Sequence, residues 1–302
     1  MWRWPMDPDA PRFGPGSLLY ETYGDRRGYL LAPMEGLLQL MYPSLGRGVE
    51  QHSDFFNEPW ERLFRSVPQI QGMIFDGPES LRTAARIRDF HSDIKGTMPA
   101  GERYHALDPH TYFWAHATFI DTAWRARDLF ARRPYTREEK AAVYAEGVRW
   151  WGMYGMSTRI VPATYDDFLD YWNHTVEHVL EPTPSARALI DYFDSAADMP
   201  QPWLPTALWR ILAPSASEAW RHVLVGTLPP HIRELYGYRW TRANQLAFDT
   251  FRHAVARTWL LLPETLRIMP RARAAYRREG RTGLRIALDR AADRRQPLRA
   301  AG

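Results

Sequence analysis

Two short segments hold the residues best suited to chemistry. In the stretch 61–66, Arg62, Arg65 and Ser66 stand at i, i+3 and i+4, so a helix there gathers two guanidinium groups and a hydroxyl on one side. Leu63, Val67, Ile70 and Ile74 take the neighbouring apolar face. Guanidinium groups so placed can hold a carboxylate; on spacing alone the set reads first as a solvated charged edge paired with Glu58 or Glu61. The second segment runs from Arg88 to Lys95 and contains His91. At about 100° per residue, Leu81, Ala84, Ile87, His91 and Ile94 fall on one helix face, with Arg82, Arg86, Asp89 and Asp93 opposite. His91 thus points where Leu or Ile is expected, which on its own reads as a core histidine satisfied by a carbonyl or a carboxylate.

Other histidines carry weaker signals. His174, Glu177 and His178 match the H-x-x-E-H pattern of some zinc peptidases. The apolar stripe of that helix passes through Phe168, Trp172, Thr175 and Val179, which leaves His178 about a quarter-turn away and Glu177 nearly opposite. A zinc helix should aim both imidazoles into a cleft, so this trio is read as facing solvent or a partner helix. His116 lies in the most aromatic segment, with Asp121 five residues on as a candidate hydrogen-bond partner, and His52 reads as a loop or cap residue. No G-x-S-x-G elbow, G-x-G-x-x-G or P-loop occurs, which removes serine-hydrolase, dinucleotide and nucleotide readings.

The elements that must position these residues read almost entirely as helix. An apolar stretch covers 29–42 and ends at Pro43; 58–75 carries the arginines, with Pro68 inside it. The sequence Asp76-Gly77-Pro78-Glu79-Ser80 is a helix start for the His91 segment, which is expected to run to about Gly96, followed by a polar connector over 97–102. Asp108-Pro109 opens a long aromatic helix to Ala131. Thr136 and Glu139 form a capping box for a helix reaching about Tyr154. Further helices are expected from Thr164 to Leu180, over 184–195, 203–213 and 216–226, and from Thr241 to Leu262, with a weaker one in the tail. Val, Ile and Thr alternate nowhere for six residues, so strands are not expected.

Composition narrows the classes. Among 302 residues, 45% are apolar and 14% aromatic, enough for a sizeable core, and there is no cysteine. Disulfides, iron–sulfur clusters and zinc–cysteine sites are excluded. No apolar run approaches the ~18–20 residues of a membrane span, and Met1-Trp2-Arg3-Trp4-Pro5 lacks a signal-peptide core, so a cytoplasmic location is expected. Residues 271–302 hold ten Arg against Glu279, Asp289 and Asp293, a local +7 in a chain of net +4. That tail is read as a solvated helix and as a candidate for peripheral contact with an anionic membrane. No aromatics interleave its arginines, so nucleic acid is not an expected partner.

Taken in order, the motifs resemble those of the MpaB-type and latex-clearing-protein oxygenases. The similarity covers about residues 25–265. It includes Leu38-Gln39, Pro43, Gly46 and Gly48, then His52-Ser53-Asp54-Phe55, Pro59 and Arg62-Leu63-Phe64-Arg65-Ser66. Arg88 with His91, Gly96, the run from Tyr104 to Pro109, Trp114-Ala115-His116-Ala117-Thr118, Pro162 and Tyr165–Tyr171 complete it. The resemblance implies a single all-α, mostly helical, globin-like domain around a haem b pocket, flanked by an N-terminal arm (1–24) and a basic C-terminal extension (266–302). His91 would be the iron ligand and His116 a second pocket residue. Arg62 and Arg65 would pair with a haem propionate or donate on the oxygen side, with Ser66 adding a weaker polar contact.

Two departures qualify the likeness. Ser66 stands where the family has threonine, keeping the hydroxyl without the methyl that stiffens its rotamer. Arg65 stands where rubber-cleaving members can have a lysine on the sixth iron site; arginine stays protonated and cannot ligate. The expected activity is oxygenation by O₂ of a small lipophilic, unsaturated molecule, terpenoid- or lipid-like. The alternative is a non-catalytic haem- or lipid-binding helical protein whose basic tail faces a membrane.

Overall fold

The computed structural model describes residues 13–53, 59–194 and 205–281, with backbone alone at 59–66 and 193–194. Within them the chain forms α1 (Leu18–Thr22), α2 (Ala32–Leu40), α3 (Pro43–His52), α4 (Pro59–Phe75), α5 (Ser80–Phe90), β1 (Lys95–Thr97), β2 (Arg103–His105), α6 (Pro109–Phe130) and α7 (Arg137–Gly152). There follow α8 (Tyr165–His178), α9 (Pro184–Asp194), α10 (Thr206–Thr227), α11 (Pro230–Leu235), α12 (Arg242–Thr258), α13 (Glu264–Arg267) and α14 (Pro270–Arg278). The fold is all-α, as the periodicity predicts.

The middle of the molecule is α6. Asp108 caps it by accepting from the His110 and Thr111 N–H groups, and Pro109 takes the first helical position, where no N–H is needed. Its buried residues include Phe113, Trp114, Ala117, Ile120 and Trp124, so it is covered on most sides. Along one side lies α2, joined by side-chain bonds. Trp114 Nε1 donates to the Leu38 carbonyl (2.9 Å), Gln39 Nε2 to Thr118 Oγ1 (2.7 Å), and Thr122 Oγ1 to Glu35 (2.7 Å). Along another lies α7, started by the expected Thr136/Glu139 capping box. A Cβ at Gly147 would stand 2.6 Å from the Ile120 side chain, so only a glycine lets α7 come this close.

Helices α4 and α5 pack as a hairpin, and the turn between them departs from expectation. Asp76 does not cap α5, which starts at Ser80 after a 3-10 turn over Gly77–Glu79. Its carboxylate instead accepts from Arg271 Nε (2.6 Å) and Thr83 Oγ1 (3.0 Å). The far end also differs: α5 stops at Phe90, so His91 closes the helix instead of lying within it, and Ile94 is beyond it. There Ser92 Oγ donates back to the Asp89 carbonyl, and the chain turns into a short antiparallel pair. That pair, β1 with β2, brackets the polar connector expected over 97–102, and β1 takes the place of the last residues expected in the helix. Its register sets Gly96 against Tyr104, where a Cβ would lie 2.9 Å from the tyrosine ring.

Two C-terminal expectations are also corrected. Residues 206–227 form one helix across Pro214 in place of two, since a proline forfeits its own N–H bond without having to end a helix. The early part of the basic tail is not a solvated helix. In α13–α14 Ile268, Met269, Ala272, Ala275 and Tyr276 are buried. Arg271 pairs with Asp76, Arg281 with Glu21, and the Tyr276 hydroxyl donates to the Tyr20 carbonyl. The arginines from 285 onward lie outside the described residues.

Candidate functional site

His91 is half-buried at the C-terminal end of α5. Its Nδ1 lies 2.7 Å from the Ile87 carbonyl, and since a carbonyl only accepts, Nδ1 is the protonated nitrogen. In this tautomer the ring's lone pair lies on Nε2. The edge of Tyr112, from α6, meets the imidazole with ring centroids 5.5 Å apart. Arg88 ties this last turn to the end of α7: its Nη1 donates to the Tyr154 carbonyl (3.2 Å) while Nε and Nη2 hold Asp89.

Behind Tyr112 stands an aromatic cage around His116. Tyr112 and Tyr154 meet at 5.1 Å, and Tyr154 meets His116 at 5.7 Å, so these two tyrosines bridge the two histidines. Trp150 (5.0 Å), Trp151 (5.6 Å) and Phe113 (6.3 Å) close the cage. His116 Nε2 donates to the Gly147 carbonyl at 2.8 Å, not to Asp121, whose carboxylate is held by Arg125. Burial lowers the His116 pKa to about 4, so the ring is neutral at ordinary pH. Its Nδ1 and the Tyr112 hydroxyl are both buried and have no hydrogen-bond partner among the described residues. Two orphaned polar atoms within one apolar cage are unusual, because buried polar groups are nearly always paired.

A cavity of about 100 Å³ opens on the other side of Trp150. Phe119, one of its walls, stacks on Trp150 at 5.9 Å, and Tyr23, another, meets the same indole edge-on at 5.1 Å. Glu35 projects into this space from α2. Its carboxyl is pushed up to about 7, chiefly by burial, against the bond from Thr122 and with a smaller push from nearby Asp121. Glu35 escaped the sequence reading, although one acid among Ala32-Pro33-Met34 and Gly36-Leu37-Leu38 is a detectable anomaly. Helix α4 supplies Val67, Ile70 and Gln71 to the same cavity.

The structure brings His91 and His116 into one aromatic cluster. The side chains of Arg62, Arg65 and Ser66 lie outside the described residues; their backbone forms the first half of α4, directly before the cavity-lining residues. His174, Glu177 and His178 are exposed on α8, and among the described residues no three His, Cys, Asp or Glu gather to hold an ion. His52 closes α3 and donates from Nε2 to the Lys95 carbonyl at 3.0 Å.

The model of a family described as ER-bound oxygenase mpaB/B′/rubber oxygenase, catalytic domain, matches residues 20–257. The chain belongs to this oxygenase family. Comparison with curated proteins and with solved structures returned no match. The matched span holds both histidines, the aromatic cage and Glu35, and ends inside α12. Among the described residues no helix is long and apolar enough to cross a membrane.

Proposed function

We propose that this oxygenase depends on haem b and uses O₂ on a small lipophilic, unsaturated substrate, with His91 as the protein's ligand to the iron. The observation that carries the reading is the bond from His91 Nδ1–H to the Ile87 carbonyl. A ligating imidazole characteristically donates its other N–H to such an acceptor, which sets the tautomer and raises the basicity of the ligating nitrogen. The donor set fits as well. The chain has no thiolate, and a lone imidazole would suit a group that brings its other iron ligands with it.

Bound haem would supply an iron centre able to activate O₂ for attack on a carbon–carbon double bond. The chain's own residues do the rest. Tyr112 and Phe90 flank the imidazole and restrict its rotation. Phe113, Trp151 and Tyr154 keep the surroundings apolar, which suits a hydrocarbon substrate and keeps water out. His116, neutral at working pH, contributes a lone pair at Nδ1 and no charge. Arg62 and Arg65 are proposed to pair with a haem carboxylate or donate on the oxygen side, with Ser66 beside them.

The test is an absorption spectrum and pyridine haemochrome assay on wild type and His91→Ala, with far-UV circular dichroism to confirm the fold. About one b-type haem per wild-type chain and its loss from the variant are expected. A colourless wild type that refuses added haemin, or a variant with an unchanged Soret band, refutes the assignment. Haem without O₂ consumption in the presence of alkenes would favour a carrier instead.

A further inference from the structure

We propose that the cavity between α2, α4 and α6 binds a small apolar molecule bearing one hydroxyl group, an alcohol or a phenol, whose O–H donates to Glu35. The volume, about 100 Å³, approaches the ~150 Å³ cavity that admits benzene. Ala32, Val67, Ile70, Phe119 and Ala126 give it apolar walls. The lining carries two carboxylates: Asp25 is held by Arg27, whereas no cation among the described residues bonds Glu35. One carboxylate oxygen takes the Thr122 hydroxyl; no donor among the described residues reaches the other. Glu35 is deep in the fold yet retains accessible surface, which is what a side chain facing an internal space does.

The charges around the cavity select the ligand. Arg27 is engaged by Asp25 through Nε and Nη2 and by the Phe130 carbonyl through Nη1, so it does not serve Glu35 as a counter-ion. Arg127 lines the wall with its guanidinium over the Tyr135 ring. Two cations in the wall disfavour an ammonium ligand, while Glu35, Asp25 and nearby Asp121 disfavour an anion. Gln71 is turned toward the Tyr29 hydroxyl, 3.4 Å away. A neutral donor is what remains, and a carboxyl raised toward 7 without a counter-ion is a strong acceptor once ionised. None of these residues is assigned to iron, so the inference stands apart from the haem reading.

The test titrates the full-length protein with 4-fluorophenol and with fluorobenzene at pH 8, following the ligand by ¹⁹F NMR. Wild type should bind the phenol at least about tenfold more tightly, the worth of a hydrogen bond to a charged group. Glu35→Leu should erase that preference while retaining fluorobenzene, and Glu35→Gln should reduce it to about threefold or less. Ala126→Phe, which fills the space, should abolish both. Equal affinities in wild type, no saturable binding, a preference intact in both Glu35 variants, or binding that survives Ala126→Phe would each overturn the proposal.

Discussion

Glu35→Gln should make the protein more stable, and increasingly so as pH rises. The carboxyl is raised from 4.5 to about 7 in the fold, chiefly by burial. Between those values the folded state binds a proton that the unfolded state releases, so wild-type stability falls as pH climbs through the window. Linkage puts the cost at about 1 kcal/mol at pH 5 and about 3 kcal/mol at pH 8, where both states are ionised. Glutamine keeps the shape, still accepts from Thr122 and cannot ionise. Tyr23 is also held above its ordinary pKa, by burial and by Glu35, but that effect lies above pH 10 and outside the window. Urea unfolding of both proteins at pH 5, 6, 7 and 8 gives the difference at each pH. A gain of about 2 kcal/mol in the variant's advantage between the extremes is expected. A difference flat in pH, or of opposite slope, would show that Glu35 is not a buried, uncompensated carboxyl.

Other perturbations test the packing around the site. His116, lowered to about 4, stays neutral in the fold while the unfolded chain takes a proton below about 6.5, so stability should fall by up to about 3 kcal/mol from pH 6.5 to 4; His116→Gln should lack that acid slope in the same urea series. Glu146 accepts from the Ser17 hydroxyl and the Leu18 and Leu19 N–H groups at the start of α1. Glu146→Ala strands those donors and should cost about 3 kcal/mol in chemical denaturation. Gly147→Ala drives a methyl to 2.6 Å from Ile120 and should cost about 1–3 kcal/mol, with Ile120→Val in the same chain recovering part of the loss.

Local chemistry explains which features could be read in advance. Helix starts at Asp108-Pro109, Thr136, Thr164 and Thr241 were legible because a cap satisfies N–H groups a few residues away, and each cap is present. The end of α5 was not, because it depends on His91 and Ser92 turning back to last-turn carbonyls and on a strand whose partner residues lie six to ten positions further on. The His116 partner was misread for a similar reason: sequence proximity suggested Asp121, whereas close approach at Gly147 supplied a carbonyl from another helix. Glu146 looks like a surface acid of an amphipathic helix until α1 arrives over it. Spacing alone left His91 and the Arg62, Arg65 and Ser66 trio readable as ordinary core and surface residues, and only the family resemblance nominated them; the cavity and the cage, made by helices far apart in the chain, could not be read at all.

The closure of α14 over α1 also bears on how the protein is made. The Tyr276 hydroxyl reaches a carbonyl 256 residues earlier, and its ring covers Tyr20 and Phe75. A ribosome adding ~5–20 residues per second therefore leaves Tyr20 without that cover for roughly 13–50 s. Met269, a wall of the cavity, is delivered in the same late segment. The nascent chain thus emerges with an apolar flank that nothing yet encoded can seal, a natural place for a chaperone to wait.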